Sequence, residues 1–164
     1  MDNTKNKAIF LDRDGTLNFD SGYISKIEEL TIIEGVTEAL KLLYDSGYML
    51  FVVTNQSGIA RGYFSKEDCD KFNSALKERV ASQGVEIKDF HVCPHSPEDN
   101  CLCRKPKTQM LEDAIKEHNI DREKSYMFGD KLTDIECGER ADIKSFLITE
   151  DKTLLYFAKK ITNR

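Results

Sequence analysis

"IFLDRDGTLN", Ile9 to Asn18, drives an apolar run straight into two aspartates one residue apart and then turns on a glycine. Aspartate is a poor strand former, and like charges repel at a strand end. Either the segment is a solvated turn, or the carboxylates of Asp12 and Asp14 are held together for chemistry. Residues two apart in an extended backbone point the same way, so both acids can face one pocket. Gly15 lets the chain turn aside from it.

The rest of the chain sets this segment among alternating strands and helices. "KAIFLD" (7–12), "YMLFVVT" (48–54), "IKDFHVC" (87–93), "SYMFGD" (125–130) and "KSFLIT" (144–149) read as strands. The second has no polar face, as suits a strand buried on both sides. Helical periodicity marks 35–47, with Val36, Leu40 and Leu43 on one face, and also 65–84, 108–120, 132–143 and 151–160. Ser65 is placed to cap the second helix, and Gly47 and Gly84 to stop the first two. This alternation predicts an α/β fold: a Rossmann-like parallel sheet with helices on both faces, in one domain spanning 1–164. Ligands bind such sheets beyond the carboxyl ends of the strands. Asp12 and Asp14, Thr54 and Asn55, Cys93 and His95, and Gly129 and Asp130 all fall there.

Composition narrows the function classes. Of the residues, 40% are hydrophobic and 32% charged, with a net charge of −5, which argues against nucleic acid as a main partner. No apolar run approaches the roughly 18 residues of a membrane span. The N-terminal segment lacks the apolar stretch of a secretory signal. A cytoplasmic protein with no nucleic-acid or membrane partner is expected.

Two carboxylates need a cation or a shared proton. Asp130, on another strand end, completes a hard-oxygen set suited to Mg²⁺. Carboxylates also act as phosphoryl-accepting nucleophiles, and Thr54 and Lys105 are suited to stabilising a transferring phosphoryl group. The cysteines are clustered unevenly: Cys93-x-His95, five residues, then Cys101-x-Cys103. Three thiols and an imidazole make a closed Zn²⁺ set, structural rather than catalytic. Zinc there fixes the loop that delivers Arg104 and Lys105.

"DRDGT" (Asp12 to Thr16), Thr54, Lys105 and "GDKLTD" (Gly129 to Asp134) resemble, in order, the four motifs of the haloacid dehalogenase superfamily. The resemblance implies Asp12 as nucleophile, Asp14 as general acid and base, and Thr54 and Lys105 as phosphoryl stabilisers. It also implies Mg²⁺ held by Asp12, Asp130 and the Asp14 backbone carbonyl. The zinc-loop members it resembles act on heptose 1,7-bisphosphate, in nucleotide-activated heptose biosynthesis of the kind that feeds lipopolysaccharide, or on histidinol phosphate. "DSGY" (Asp20 to Tyr23) and "TNQSGIARGYF" (Thr54 to Phe64) resemble the heptose type, and the short zinc loop resembles the histidinol type. By that resemblance Asp20, Ser21, Gly22, Tyr23, Asn55, Gln56, Ser57, Arg104 and Lys131 line the pocket for a small phosphorylated sugar. A monomeric phosphatase without a cap domain is therefore expected. A non-catalytic zinc-stabilised binding module is the rival from another class.

Several residues have blander readings. Arg61 and Lys107 read as surface charge, and Gly58 and Gly62 as freedom for the 58–64 loop. Cys69 and Cys137 read as packing residues, and His91 and His118 as structural or exposed. Asp134 reads either as a water-mediated metal contact or as a helix N-terminal acid.

Overall fold

The computed structural model describes residues 4–164; the first three residues of the expected 1–164 domain lie outside the described part. Five strands, β1 (Ala8–Leu11), β2 (Met49–Asn55), β3 (Ile87–Cys93), β4 (Tyr126–Gly129) and β5 (Lys144–Leu147), form one sheet in the order β3-β2-β1-β4-β5. Every pairing is parallel. Parallel neighbours need crossovers, and these contain α1 (Val36–Asp45), α2 (Lys66–Ala81), α3 (Gln109–His118) and α4 (Leu132–Arg140), with α5 (Leu154–Thr162) closing the chain.

The side-chain alternation of β1 and β2 divides the core in two. Ile9, Leu11, Leu50 and Val52 point to a cluster containing α1, α2 and α5 residues such as Leu40, Phe72 and Phe157. Ala8, Phe10, Phe51 and Val53 point to the opposite cluster, with Leu111 and Ile115 of α3 and Cys137 of α4. Helices therefore cover both faces, and the two central strands are apolar on both sides because neither face meets water. Cys69 and Cys137 are buried packing residues, as expected.

Local signals set the helix limits. Ser65 and Asp68 form a reciprocal capping box at α2. The last helix starts later than the 151–160 expected from periodicity, because the Thr153 hydroxyl accepts from the Tyr156 N–H at 3.1 Å and fixes the first turn there. The 12–35 and 93–109 connections contain only short 3₁₀ turns, so no cap covers the carboxyl end of the sheet. Among the described residues, no helix is long and apolar enough to cross a membrane.

Gly138 in α4 packs directly against β4 and β5 of the sheet. A methyl group there would overlap Ser145 Oγ and sit 2.9 Å from Met127 Cβ. Alanine is the better helix former by about 1 kcal/mol, but overpacking of a filled core costs about 1–3 kcal/mol. Gly138→Ala is therefore expected to lower the urea unfolding midpoint despite its higher helix propensity. A raised midpoint would mean that α4 stands further from the sheet than described.

Candidate active site

β1 ends on Leu11, and the chain delivers Asp12 to the carboxyl edge of the sheet, where its N–H donates to the Phe128 carbonyl at 3.1 Å. Gly15 then turns the chain with φ +85°, and a Cβ there would overlap the Asp130 carboxylate. Glycine is required both by the backbone and by the neighbouring acid.

Lys105 arrives from the 93–109 loop and is 4% exposed. Its Nζ donates to Asp12 Oδ1 at 2.8 Å, to Asp134 Oδ1 at 2.7 Å and to the Val53 carbonyl at 2.7 Å. Burial pushes the ammonium pKa down, but the charges and hydrogen bonds of Asp12 and Asp134 outweigh burial and hold it above the ordinary lysine value. Asn55 sets the backbone of this lysine: its Oδ1 accepts from the Lys105 N–H at 3.0 Å and its Nδ2 donates to the Lys105 carbonyl at 3.2 Å.

Asp12, Asp130 and Asp134 each bring a carboxylate oxygen within 4.8 Å of the others. Burial, then the hydrogen bond and charge of Asp12, push Asp130 up to about 7. An acid raised in this way among other acids suits a divalent cation, which relieves the same repulsion that the proton does. The donor set therefore fits Mg²⁺.

The Asp14 carboxylate is not part of that group. Arg13 donates to it from Nε at 2.9 Å and Nη2 at 3.1 Å, Asn18 Nδ2 donates at 3.0 Å, and Gln56 Nε2 donates at 2.9 Å. Arg13 is fully buried. It also bonds Asn73 Oδ1 at 2.9 Å and the Ile24 carbonyl at 3.2 Å, and its guanidinium carbon lies 4.3 Å from the Phe72 ring centroid. Gln56 Nε2 donates as well to Thr54 Oγ1 at 2.9 Å, which fixes the hydroxyl beside the acids.

Above these groups opens a cavity of about 450 Å³ bordered by Asp14, Tyr23, Arg104 and Lys131, and by Asp20, Gly22, Asn55, Gln56 and Ser57. Of the residues expected to line the pocket, Ser21 alone does not border it. Gln56 is 3% exposed and, like Asn55, directs its amide to protein partners, so both act through their neighbours. Tyr23 holds a left-handed φ of 47° and stands edge-on to Tyr63 at 4.7 Å between centroids, joining two loops at the rim. Asp134, left open between two readings, accepts from Lys105 and caps α4 through the Lys131 N–H at 3.1 Å.

Beyond Lys105, the Sγ atoms of Cys93, Cys101 and Cys103 come together, at 2.6 Å for Cys93–Cys103 and 3.6 Å for Cys93–Cys101, with all three thiols free. Burial, with hydrogen bonding to Cys103, raises the Cys93 thiol. Converging soft donors with no disulfide between them fit Zn²⁺. His95 does not join the thiols: its Nδ1 lies 3.8 Å from Asp99 Oδ2, and its side chain is 45% exposed.

Sequence reasoning missed Arg13, Asn18 and Asn73. The only local signal was an arginine between two acids, which reads as surface charge.

The family model described as HAD-hydrolase-like matches residues 102–157. The D-glycero-beta-D-manno-heptose-1,7-bisphosphate 7-phosphatase of Haemophilus ducreyi is 47% identical over 163 residues, covering 95% of this chain and 86% of that protein. The D-glycero-alpha-D-manno-heptose-1,7-bisphosphate 7-phosphatase of Campylobacter jejuni is 39% identical, covering 97% of this chain and 92% of its own. The crystal structure of D,D-heptose 1,7-bisphosphate phosphatase from B. bronchiseptica, complexed with magnesium and phosphate, superposes with a TM-score of 0.89 at 27% identity, over 96% of this chain and 98% of that one.

Breaking a buried ion pair costs about 3–5 kcal/mol. Because Asp14 keeps two amide donors and some solvent, Arg13→Met is expected to destabilise the fold by about 2–4 kcal/mol in urea unfolding. A loss below about 1 kcal/mol, the range of exposed pairs, would mean that Asp14 does not depend on the guanidinium.

Proposed function

This chain belongs to the heptose-1,7-bisphosphate 7-phosphatases among the HAD-like hydrolases, and we propose that Asp12 is its nucleophile and Asp14 its general acid and base. It is a phosphatase. The reaction is removal of the 7-phosphate of D-glycero-D-manno-heptose 1,7-bisphosphate, leaving the sugar hydroxyl and inorganic phosphate. The observation that carries the assignment of roles is the division of the acids. Asp12 faces the buried Lys105 and the acidic group, while Asp14 is held apart, by Arg13, Asn18 and Gln56, at the border of the cavity.

An Asp12 carboxylate oxygen attacks phosphorus as the bond to O7 breaks, and Asp14 gives its proton to the departing O7. The product of that step is an aspartyl-phosphate. Asp14, now a carboxylate, takes a proton from water as the water oxygen attacks phosphorus, which frees phosphate and restores Asp12. Lys105 and the Thr54 hydroxyl stabilise charge on the transferring oxygens. Asp12, Asp130 and the Asp14 carbonyl would hold Mg²⁺, which would supply neutralisation of phosphoryl charge. Arg104 and Lys131 on the cavity wall give cations for the second phosphate.

The β anomer is the substrate we favour, because relatives named for it reach 48% identity and a relative named for α is 39% identical. Neither relative is named for histidinol phosphate, so the short zinc loop is not taken as a guide to substrate. A non-catalytic module has no use for this set of acids around a buried lysine. We place the enzyme in the cytoplasm, acting as a monomer.

The test compares Mg²⁺-dependent phosphate release from both heptose bisphosphate anomers and from histidinol phosphate. A specificity constant for β at least about a hundredfold above histidinol phosphate, about 2.7 kcal/mol of transition-state binding, is expected. The reverse order would return the choice to the zinc loop. Asp12→Asn, folded as judged by circular dichroism, is expected to show no turnover, and retention of about a tenth of wild-type activity, far above what loss of a covalent nucleophile leaves, would exclude the covalent route.

Zn²⁺ at Cys93, Cys101 and Cys103 is proposed as structural, fixing the loop before Arg104 and Lys105, with the exposed His95 side chain turning from Asp99 to complete the set when the metal binds. Stripping zinc from protein that stays folded is expected to lower turnover by about tenfold or more, as loosened support does at preorganised sites. Unchanged turnover would leave zinc with no part in positioning Lys105.

A further inference from the structure

On the other half of the sheet, away from the phosphatase site, α3 ends beside the edge strand β3. His118 is the last residue of α3, and Asp89 and His91 lie two apart on β3, so their side chains leave the same face of the strand. Asp89, Glu117 and His118 bring ligand atoms within 4.8 Å of one another. His91 Nε2 is 3.7 Å from Asp89 Oδ2, and His118 Nε2 is 3.9 Å from Glu117 Oε1. Both imidazoles pack on one ring, Phe51, with centroids 6.3 Å and 5.0 Å away.

The Nε2 atoms of His91 and His118 are buried and have no hydrogen-bond partner. Leaving one buried ring nitrogen unsatisfied is costly, and here one lies beside Asp89 and the other beside Glu117. A free imidazole nitrogen is a transition-metal donor, and imidazole with carboxylate suits divalent zinc, copper and nickel. The carboxyl end of a helix also favours a cation. Asp89 Oδ1 is tied to the Phe90 N–H at 2.8 Å, which leaves Oδ2 turned towards His91.

We propose that His118, Asp89 and Glu117, with His91 beside Asp89, form a second transition-metal site, distinct from the cysteine cluster and from the phosphatase centre. It takes a divalent ion such as Zn²⁺ on the His118 imidazole and the two carboxylates, with His91 turning its free nitrogen in as the further donor. Its effect is to join the end of α3 to the edge strand, which no other strand covers. The site is independent of the substrate reading.

The test uses full-length enzyme already carrying one equivalent of Zn²⁺ and saturated with Mg²⁺, titrated calorimetrically with further Zn²⁺. One additional equivalent is expected. In His91→Gln and in His118→Gln it should bind at least about tenfold more weakly, since even supporting groups of metal ligands change affinity that much. Mg²⁺-dependent hydrolysis should be the same in both variants as in wild type. Imidazole nitrogen resonances of His91 and His118 should shift together with the added equivalent, and with no earlier one. Absence of a further equivalent, or unchanged affinity in either variant, overturns the site.

Discussion

The ammonium of Lys105 is the constraint around which the rest is arranged. Without a cation, Asp12 and Asp134 have no reason to approach one another inside the protein, because buried like charges repel strongly. With Lys105 between them and the Val53 carbonyl as third acceptor, the acids converge at the carboxyl edge of the sheet. The sheet supplies the rest of the frame. β1 and β2 lie centrally and deliver Asp12 and Thr54 from adjacent ends, and β4 delivers Asp130. Lys105 comes instead from a loop, so its placement depends on Asn55 from β2, which bonds both its backbone N–H and its carbonyl.

Much of this frame could be read in the sequence because it is written in local signals. Short apolar runs ending in polar residues mark the strand ends, and the 3.6-residue periodicity marks the helices between them. Asp12 and Asp130 were recognisable from their positions after strands, and Gly15 from the turn it makes, whereas Asp134 in α4 stood open between two readings. The limits of α5 were not visible in periodicity alone, because the Thr153 cap excludes Asp151 and Lys152 and starts the helix at Leu154.

What escaped were particular long-range partners. Arg13 lies between two aspartates and looks like charge compensation on a surface. In the fold it is fully buried, and Asn73, Cys69 and Ile24 decide its position. Asn55 and Gln56 look like substrate contacts and turn their amides inward. His95 has the spacing of a zinc ligand, but the distances place it beside Asp99 rather than with the thiols. Residue type and spacing identify which groups are chemically suited to a site. They do not state which partner each group finds when several suitable ones lie within reach.

Arg13 also joins regions that are distant in the chain. One guanidinium holds Asp14, a carbonyl of the loop at Ile24 and the side chain of Asn73, sixty positions along in α2. Asn73 touches neither cavity nor acid, yet the orientation of Asp14 depends on it through a single rigid planar group. In genetic terms the two positions should behave epistatically. A polar change at Asn73 would be tolerated or harmful according to what occupies position 13, and Asp14 would inherit its history of substitution from a helix that does not border the cavity.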